Sequence, residues 1–318
     1  MSSPDRPARH AAAALLAAAT LLGSCAASVD PTHPASSGAS SATASRPPSS
    51  PTEATAASAV PTPSPTTMPA APAPTATTLA LPRGGTTVFP TYRLVGYAGY
   101  PGASALGRLG VGRLEDRLAE IDDLAAQYAA DRTAAPILEL IATVVQPDPG
   151  PGGLYRHRIA ESVVADYLAA ARAHHAILLL NIQPGRADFL PEVQAWERWL
   201  LEPDVGLALD PEWAIGPGQV PGKVFGSTTG AELDAVAAYV SGLVTAHGLP
   251  EKVLVYHQLH TSIVRNPAAL QPHPGVALVV SVDGIGTPTQ KRATWGQINA
   301  VTPAYVRRGF KLFFQEDA

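Results

Sequence analysis

Hydrophobic and polar positions divide the chain into three regions. Residues 11–22 form one short apolar run, residues 26–85 are dominated by Ser, Thr, Ala and Pro, and residues 86–318 alternate between short apolar runs and helical patterns. Alternating strand and helix patterns are typical of repeated βα units around a parallel sheet. The third region, of about 230 residues, is long enough for one large domain with a substantial core.

Seven apolar runs of the third region predict β-strands. They cover residues 93–98, 137–145, 176–182, 206–210, 252–257, 276–282 and 310–315. Several are continuously apolar, as expected for strands that are covered on both faces of a sheet. Apolar residues at helical spacing predict helices over residues 114–128 and 233–244. Thr229 with Glu232 predicts a capping box before the second helix, and Gly248 predicts its end.

This order of elements predicts an α/β fold of the TIM type, a (β/α)8-like barrel. A closed barrel of this type needs eight strands, so the seven runs leave two interpretations. Either the barrel is truncated after strand seven, which we favour, or an eighth strand lies near residues 87–89. A doubly wound open sheet is the alternative fold, although no glycine-rich phosphate loop follows the first predicted strand.

The N-terminus has the pattern of an export signal. Arg6, Arg9 and His10 precede the apolar run at residues 11–22. A charged segment followed by a short apolar segment is typical of secretory signal peptides. About a dozen apolar residues are too few for a stable membrane-spanning helix, which needs roughly 20. We therefore expect residues 1–24 to be removed from the mature protein.

The residues at the end of this signal, Leu22-Gly23-Ser24-Cys25, resemble the lipobox of bacterial lipoproteins. The resemblance implies lipid attachment at Cys25 and anchoring at the extracellular face of the cell membrane. An ordinary secretory signal with a chance cysteine is the alternative. Cys25 is the only cysteine, so an internal disulfide is excluded. In general architecture the chain also resembles secreted barrel lipoproteins of high-GC actinobacteria.

Residues 25–85 are predicted to be a disordered stalk. Their composition offers too little apolar surface to offset the conformational entropy that folding would remove. A flexible coil of about 60 residues averages about 40–45 Å end to end, which would hold the domain of residues 86–318 away from a membrane. The formal net charge of the chain is −4, without the basic excess typical of nucleic-acid binding, so we expect no nucleic-acid partner.

Polar residues follow the predicted strands at the end where TIM-type barrels carry their chemistry. The candidate catalytic residues are the carboxyl groups Glu212, Asp210, Asp283 and Glu316. The candidate substrate-binding residues are Trp213, Asn181, Gln183, His257, Gln258 and Tyr97. Two acidic groups across a barrel mouth can act as proton donor and as nucleophile or base in glycosidic-bond cleavage.

The most specific pattern is Asp210-Pro211-Glu212-Trp213. Residues two apart on an extended segment project from the same side, so Asp210 and Glu212 can address one cavity. Trp213 would offer a flat surface for a sugar ring. Asp-x-Glu at the end of strand four resembles the muramidase-like and chitinase-like families of barrel glycoside hydrolases. The resemblance implies that Glu212 is the general acid and that Asp210 assists it.

The resemblance is carried by these few residues. Chitinase-type barrels have further aspartates where this chain has Val205 and Ala208, and muramidase-type barrels have an acid after strand one, where Tyr97 and Ala98 stand. Another clan of retaining barrel glycosidases places a second carboxylate after strand seven, where Glu316 stands. The alternative is that Glu212 pairs with a base on the rim of the fold.

Two further charged positions bear on the chemistry. Glu139 lies inside an apolar run, which indicates a buried charge with a partner, most commonly an arginine, or a bend in the strand. His257 and His260 are three residues apart on a predicted strand, so they face opposite sides and do not form a metal site. We therefore expect neither a metal nor another cofactor.

Two classes of function remain open from the sequence. The first is a surface-anchored glycoside hydrolase that acts on cell-wall or environmental polysaccharide. The alternative is a non-catalytic lipoprotein whose barrel binds glycan or another wall component. Both interpretations predict a carbohydrate partner and contact with the membrane through the lipid anchor.

Overall fold

The structure is a computed structural model that describes residues 79–313. The predicted signal peptide, Cys25, most of the predicted stalk and Glu316 lie outside the described residues. Within residues 79–313, no helix combines the length and the apolar character needed to span a membrane.

One sheet of seven parallel strands organises the domain. The strands are β1 (Tyr92–Gly99), β2 (Thr133–Val145), β3 (Ile177–Ile182), β4 (Val205–Leu209), β5 (Lys252–Gln258), β6 (Val276–Asp283) and β7 (Arg307–Lys311). Each strand pairs in parallel with the next strand along the chain. A doubly wound sheet reverses its strand order at a switch point, so that alternative is wrong for this chain.

The sheet is strongly curled. Strands β2 and β5 are three positions apart, which would separate them by about 14 Å in a flat sheet. Nevertheless, Nε2 of His257 on β5 lies 2.9 Å from Oε1 of Glu139 on β2. The two edge strands of the sheet also approach each other: the guanidinium of Arg307 on β7 lies 5.5 Å from the ring centre of Phe89, just before β1. The seven strands therefore form a curled half-barrel.

Helices connect most of the strands. They are α1 (Leu114–Gln127), α2 (Glu161–Ala173), α3 (Phe189–Gln194), α4 (Glu197–Leu200), α5 (Gly230–His247) and α6 (Pro288–Val301). Three short strands lie outside the parallel order: Arg156–Arg158 pairs antiparallel with β2, and Thr228–Thr229 pairs with Val264–Arg265. The connection from β5 to β6 contains the short strand Val264–Arg265 and a 3₁₀ turn, Pro267–Ala269, in place of an α-helix.

The strands bury apolar side chains on both faces. Leu138 and Leu140 of β2 belong to the outer layer, which packs against the helices. Ala135 of the same strand belongs to the inner layer. Leu81 and Val88, which precede β1, also lie in the inner layer. Leu81 falls within the predicted stalk, but its side chain is part of the folded core.

The predicted strands agree with the structure except at the last one. The run at residues 310–315 predicts a strand, whereas β7 is Arg307–Lys311. Strand β7 is a sheet edge with exposed side chains, so it shows no apolar pattern. The possible eighth strand at residues 87–89 is not a strand in the structure, so that interpretation is wrong.

The ends of helix α5 confirm part of the capping prediction. Oγ1 of Thr229 accepts a hydrogen bond from the amide of Glu232, and Gly248 ends the helix with a left-handed φ of 60°. The carboxylate of Glu232 bonds to Thr228 and to the amide of Phe189 instead of closing the box. Thus the N-cap and the stop follow the sequence, while the capping box does not form.

Gly96 lies where β1 pairs with β2 and where the neighbouring backbone leaves no room for a side chain. A Cβ at this position would lie 1.8 Å from the carbonyl oxygen of Ile137, a backbone atom that cannot move alone. Gly96→Ala should therefore lower the free energy of unfolding by about 1–3 kcal/mol or more. Gly242→Ala is the matched control, because its Cβ would meet nothing within 4 Å in helix α5. We expect it to raise stability by about 0.5–1 kcal/mol; equal losses in urea unfolding would contradict the assigned packing.

Candidate active site

A polar cluster lies at the carboxyl ends of the strands, above the apolar inner layer. Strand alternation places most of its members on the concave face, because Glu139, Asn181, Asp210 and His257 each follow an inner-layer residue at a spacing of two. We use the name polar cluster for Glu139, Asn181, Gln183, Asp210, Glu212, His257, Asp283 and Lys311. All of these are buried except Lys311, which is partly exposed. Strands β2 to β7 all contribute to it.

His257 is the central cation of the polar cluster. Its Nδ1 lies 3.0 Å from Oδ1 of Asp283, and its Nε2 lies 2.9 Å from Oε1 of Glu139. Both ring nitrogens therefore face carboxylates, which is the arrangement of a doubly protonated imidazolium that donates from each nitrogen. Burial alone would lower the pKa of His257, but Asp283 and Glu139 outweigh burial and raise it well above the ordinary value.

Glu139 is an ionised carboxylate with its two oxygens in different surroundings. Oε1 accepts hydrogen bonds from His257 and from Nδ2 of Asn181, the latter at 2.7 Å. Burial would raise the pKa of Glu139, yet the His257 imidazolium keeps it below the ordinary value. The expected arginine partner is thus wrong: the partner is a histidine that comes from a strand three positions away.

Asp210 is held by two amide side chains. Its Oδ1 accepts from Nδ2 of Asn181 at 3.1 Å, and its Oδ2 accepts from Nε2 of Gln183 at 3.0 Å. Gln183 is fixed in turn, because its Oε1 accepts the backbone amide of Val145. These contacts orient the Asp210 carboxylate, with both of its oxygens engaged.

Asp283 and Lys311 complete the charge balance. Asp283 accepts from His257 and Ser281, and its Oδ2 lies 3.2 Å from Nζ of Lys311. Burial would raise the pKa of Asp283, but His257 and Lys311 lower it to about 2. Burial would lower the pKa of Lys311, but Asp283 and the neighbouring carboxyl groups raise it above its ordinary value. Two cations therefore neutralise most of the carboxylate charge.

Glu212 differs from the other acids of the cluster. It lies in a 3₁₀ turn after β4, is only 5% exposed, and its Oε2 has no hydrogen-bond partner among the described residues. Burial, followed by repulsion from Asp210 and Asp283, raises its pKa to about 8. Glu212 is consequently a neutral acid at pH 7. The alternative that it pairs with a base on the rim is wrong, since it is buried and joins no salt bridge within residues 79–313.

The structure brings most of the expected site residues together, but not all. Glu212, Asp210, Asp283, Asn181, Gln183 and His257 belong to the polar cluster. Tyr97 lies on the outer face, against the layer under the helices. Gln258 points away from His257 and donates to the carbonyl of His260. Trp213 is 7% exposed, so its ring presents little surface for stacking. Glu316 lies beyond the described residues.

Two cluster members were not among the expected site residues. Glu139 had a signal in the sequence, since a lone acid inside an apolar run marks a buried charge, but no local feature pointed to His257 as its partner. Lys311 had no comparable signal, because it lies on an edge strand whose pattern is not apolar.

Three groups of the cluster have the spacing of metal ligands. Single ligand atoms of Glu139, Asp210 and His257 lie within 4.8 Å of one another. Ligation of a metal by Nε2 of His257 would require this nitrogen to lose the proton that it shares with Oε1 of Glu139. In this protonation state the groups form an ion-paired cluster.

No family model, curated protein or solved structure matches the chain. The chemistry available to the site therefore has to be judged from its geometry. A neutral buried acid stands beside ionised carboxylates at the carboxyl ends of parallel strands, which is where α/β folds carry their active sites. Such a pair of protonation states is the requirement for general acid and base chemistry.

Proposed function

We propose that the chain is a surface-anchored lipoprotein with a glycoside-hydrolase-like barrel, which acts on cell-wall or environmental polysaccharide. Glu212 is its proton donor. The observation that carries this proposal is the buried carboxyl group of Glu212, whose Oε2 has no partner within residues 79–313 and whose pKa is raised to about 8. A glycosidic oxygen needs a proton from a carboxyl group that is still protonated at working pH.

Asp210 supports this assignment. Its negative charge is the second cause, after burial, of the raised pKa of Glu212. Asn181 and Gln183 hold Asp210 by its two oxygens, so the charge that keeps Glu212 protonated is fixed in place. This arrangement agrees with the roles implied by the Asp-x-Glu resemblance, where the glutamate is the acid and the aspartate assists.

The finer fold and the location are parts of the same proposal. The half-barrel is assigned to the (β/α)8 type, because its strands follow chain order and surround an apolar layer below a polar one. Cys25 is assigned as the lipid attachment site on the basis of the lipobox residues. The partners are then the membrane, through the anchor, and an extracellular glycan at the carboxyl ends of the strands.

The proposal is tested by incubating the full chain with peptidoglycan and with soluble glycans. We expect Glu212→Gln to reduce cleavage by about 10²–10⁴-fold, because amide nitrogen cannot supply the proton. Glu202→Gln is the control: this carboxylate is 41% exposed, pairs with Arg172 and lies away from the cluster. Its cleavage rate should equal that of the wild type. Cleavage that Glu212→Gln leaves undiminished would exclude the donor role.

One observation favours a non-catalytic glycan-binding lipoprotein instead. Both oxygens of Asp210 and of Asp283 are engaged by internal partners, as in a purely structural network. In that case the wild-type chain would sediment with peptidoglycan without releasing soluble sugars. Product release and sedimentation measured on one sample separate the two functions.

A further inference from the structure

Three carboxyl groups of the polar cluster, those of Glu139, Asp210 and Asp283, differ in how their oxygens are occupied. Asp210 accepts amide hydrogen bonds on both oxygens. Asp283 accepts from His257 and Ser281 on Oδ1 and contacts Lys311 through Oδ2. Neither aspartate has an oxygen free for a reacting group. Both are therefore better suited to hold charge in place than to take part in a bond-making step.

Glu139 is the exception. Both of its hydrogen bonds end on Oε1, from Nδ2 of Asn181 at 2.7 Å and from Nε2 of His257 at 2.9 Å. Among the described residues, no donor contacts its Oε2. An ionised carboxylate with one oxygen held and the other free is what a general base requires, because the held oxygen fixes the direction of the free lone pairs.

Glu139 and Glu212 face the same two cations. Nδ2 of Asn181 donates to Glu139 and also to Asp210, which lies two residues before Glu212. In agreement with this shared centre, His257 and Lys311 lower the pKa of both glutamates. Glu139 comes from β2, and Glu212 follows β4, so they approach this centre from different strands of the curled sheet. One is ionised with a free oxygen, and the other is neutral with an unpaired oxygen. Together they have the complementary states of a hydrolytic pair.

We propose that Glu139 is the second catalytic carboxylate, the base that accepts a proton from the attacking water, and that His257 positions it. This inference rests on the proposed hydrolase function. As the water oxygen bonds to the anomeric carbon and the bond to the leaving oxygen breaks, Glu139 takes one proton from the water. Glu212 gives its proton to the leaving oxygen. Solvent then removes the proton from Glu139 and returns one to Glu212, so the net reaction is hydrolysis with inversion.

The test uses the full chain with peptidoglycan glycan strands and with N-acetylchitohexaose as probes. We expect Glu139→Gln and Glu139→Ala to lose cleavage by about 10²-fold or more. Sodium azide should restore turnover of Glu139→Ala, because azide attacks the anomeric carbon without a base. The product is then a glycosyl azide, which mass spectrometry detects. A merely structural role for Glu139 would not produce this compound.

The control is Glu192→Gln, which removes another buried carboxylate that is paired with Arg156 and Arg158 outside the cluster. Its cleavage rate per folded molecule, with the folded fraction taken from circular dichroism, should match the wild type. For His257→Gln, we expect the low-pH limb of kcat/KM to move upward by a pH unit or more, since Glu139 loses the cation that keeps it ionised. An unchanged limb would exclude the positioning role.

The outcomes separate this inference from the function on which it rests. If the wild type cleaves neither probe, the hydrolase function fails and the base role fails with it. If the wild type cleaves and Glu212→Gln does not, while Glu139→Gln is fully active, only the role of Glu139 is overturned. NMR of the first product should show inversion at the anomeric carbon, and retention would likewise overturn the base role.

Discussion

Replacing His257 with glutamine is expected to lower the free energy of unfolding by about 3–5 kcal/mol at pH 7, the cost of leaving buried charges without their counter-ion. His257 is 2% exposed and holds Glu139 and Asp283 through its two ring nitrogens. Glutamine can replace at most part of these hydrogen bonds and none of the charge. Urea unfolding of both proteins measures the difference.

The loss should depend on pH in a defined direction. In the wild type the pKa of Asp283 is lowered to about 2, so its contribution to stability is present above its ordinary value of 3.8 and is lost as the pH falls toward 2. Without His257, burial would instead favour the protonated forms of Asp283 and Glu139. His257 itself, whose pKa is raised, contributes fully below its ordinary value of 6.5 and less at higher pH. The deficit of His257→Gln should therefore be larger at pH 5–6 than at pH 2–3.

A surface histidine provides the control for this prediction. His273 pairs with Asp234 at 2.8 Å, but both side chains are partly exposed. Pairs of this kind contribute about 0–1 kcal/mol because water screens them. If His257→Gln and His273→Gln lowered stability by the same small amount, the polar cluster would not depend on His257 for its charge balance.

Glu212→Gln is expected to make the folded domain more stable at alkaline pH, by about 3–5 kcal/mol at pH 9. The pKa of Glu212 is raised from the ordinary value of 4.5 to about 8 by burial and by Asp210 and Asp283. A carboxyl group with a raised pKa stabilises the fold fully below pH 4.5, and this contribution is lost as the pH rises to about 8. Glutamine has the shape of the protonated acid and never ionises.

The two unfolding curves should consequently converge at pH 4–5 and separate as the pH rises. Asp283→Asn is the control, for which the opposite change in stability is expected. The pKa of Asp283 is lowered, and its carboxylate is the counter-ion of His257 and Lys311. That variant should lose stability at pH 7 and approach the wild type at pH 2–3. A difference between Glu212→Gln and wild type that stays constant from pH 5 to pH 9 would show that Glu212 ionises normally.

The stability of the domain and the proposed chemistry depend on the same buried charges. A protein that keeps one buried acid neutral beside ionised carboxylates sacrifices stability at that position, which is common where residues are arranged for reaction. A gain in the free energy of unfolding on substitution of Glu212, together with a loss on substitution of His257 or Asp283, would identify a site that is arranged for reaction. It would exclude a network that serves only the fold. In a purely structural network, removal of any member would lower stability.

Much of the polar cluster could be predicted from the sequence because parallel strands share one carboxyl edge. Once the strands were placed, Asn181, Asp210, His257 and Asp283 had to lie near one another at that edge. Tyr97 and Gln258 lie outside the polar cluster for the same reason. Their positions within their strands direct both side chains to the opposite face of the sheet. The apolar runs are buried on both faces and therefore contain no polar alternation that would show which face a residue takes.

The pairing of Glu139 with His257 could not be predicted. It joins strands that are three positions apart, and it depends on how strongly the sheet curls, which is a sum of small twists and of packing under the helices. Lys311 was missed because β7 is an edge strand with no apolar pattern to fix its alternation. Trp213 lies just beyond β4, where the path of the loop decides its burial.

Local patterns in the sequence were enough to place six of the seven strands, helices α1 and α5, and the edge of the sheet that carries the acids, because these features depend on residues close together along the chain. The curl of the sheet, the contact of Glu139 with His257, and the burial of Glu212 with an oxygen that has no partner among the described residues all arise from three-dimensional packing. The protonation states of the polar cluster follow from these positions and from this burial. They depend on distances through space and on the removal of water, and neither quantity is encoded in any local stretch of residues.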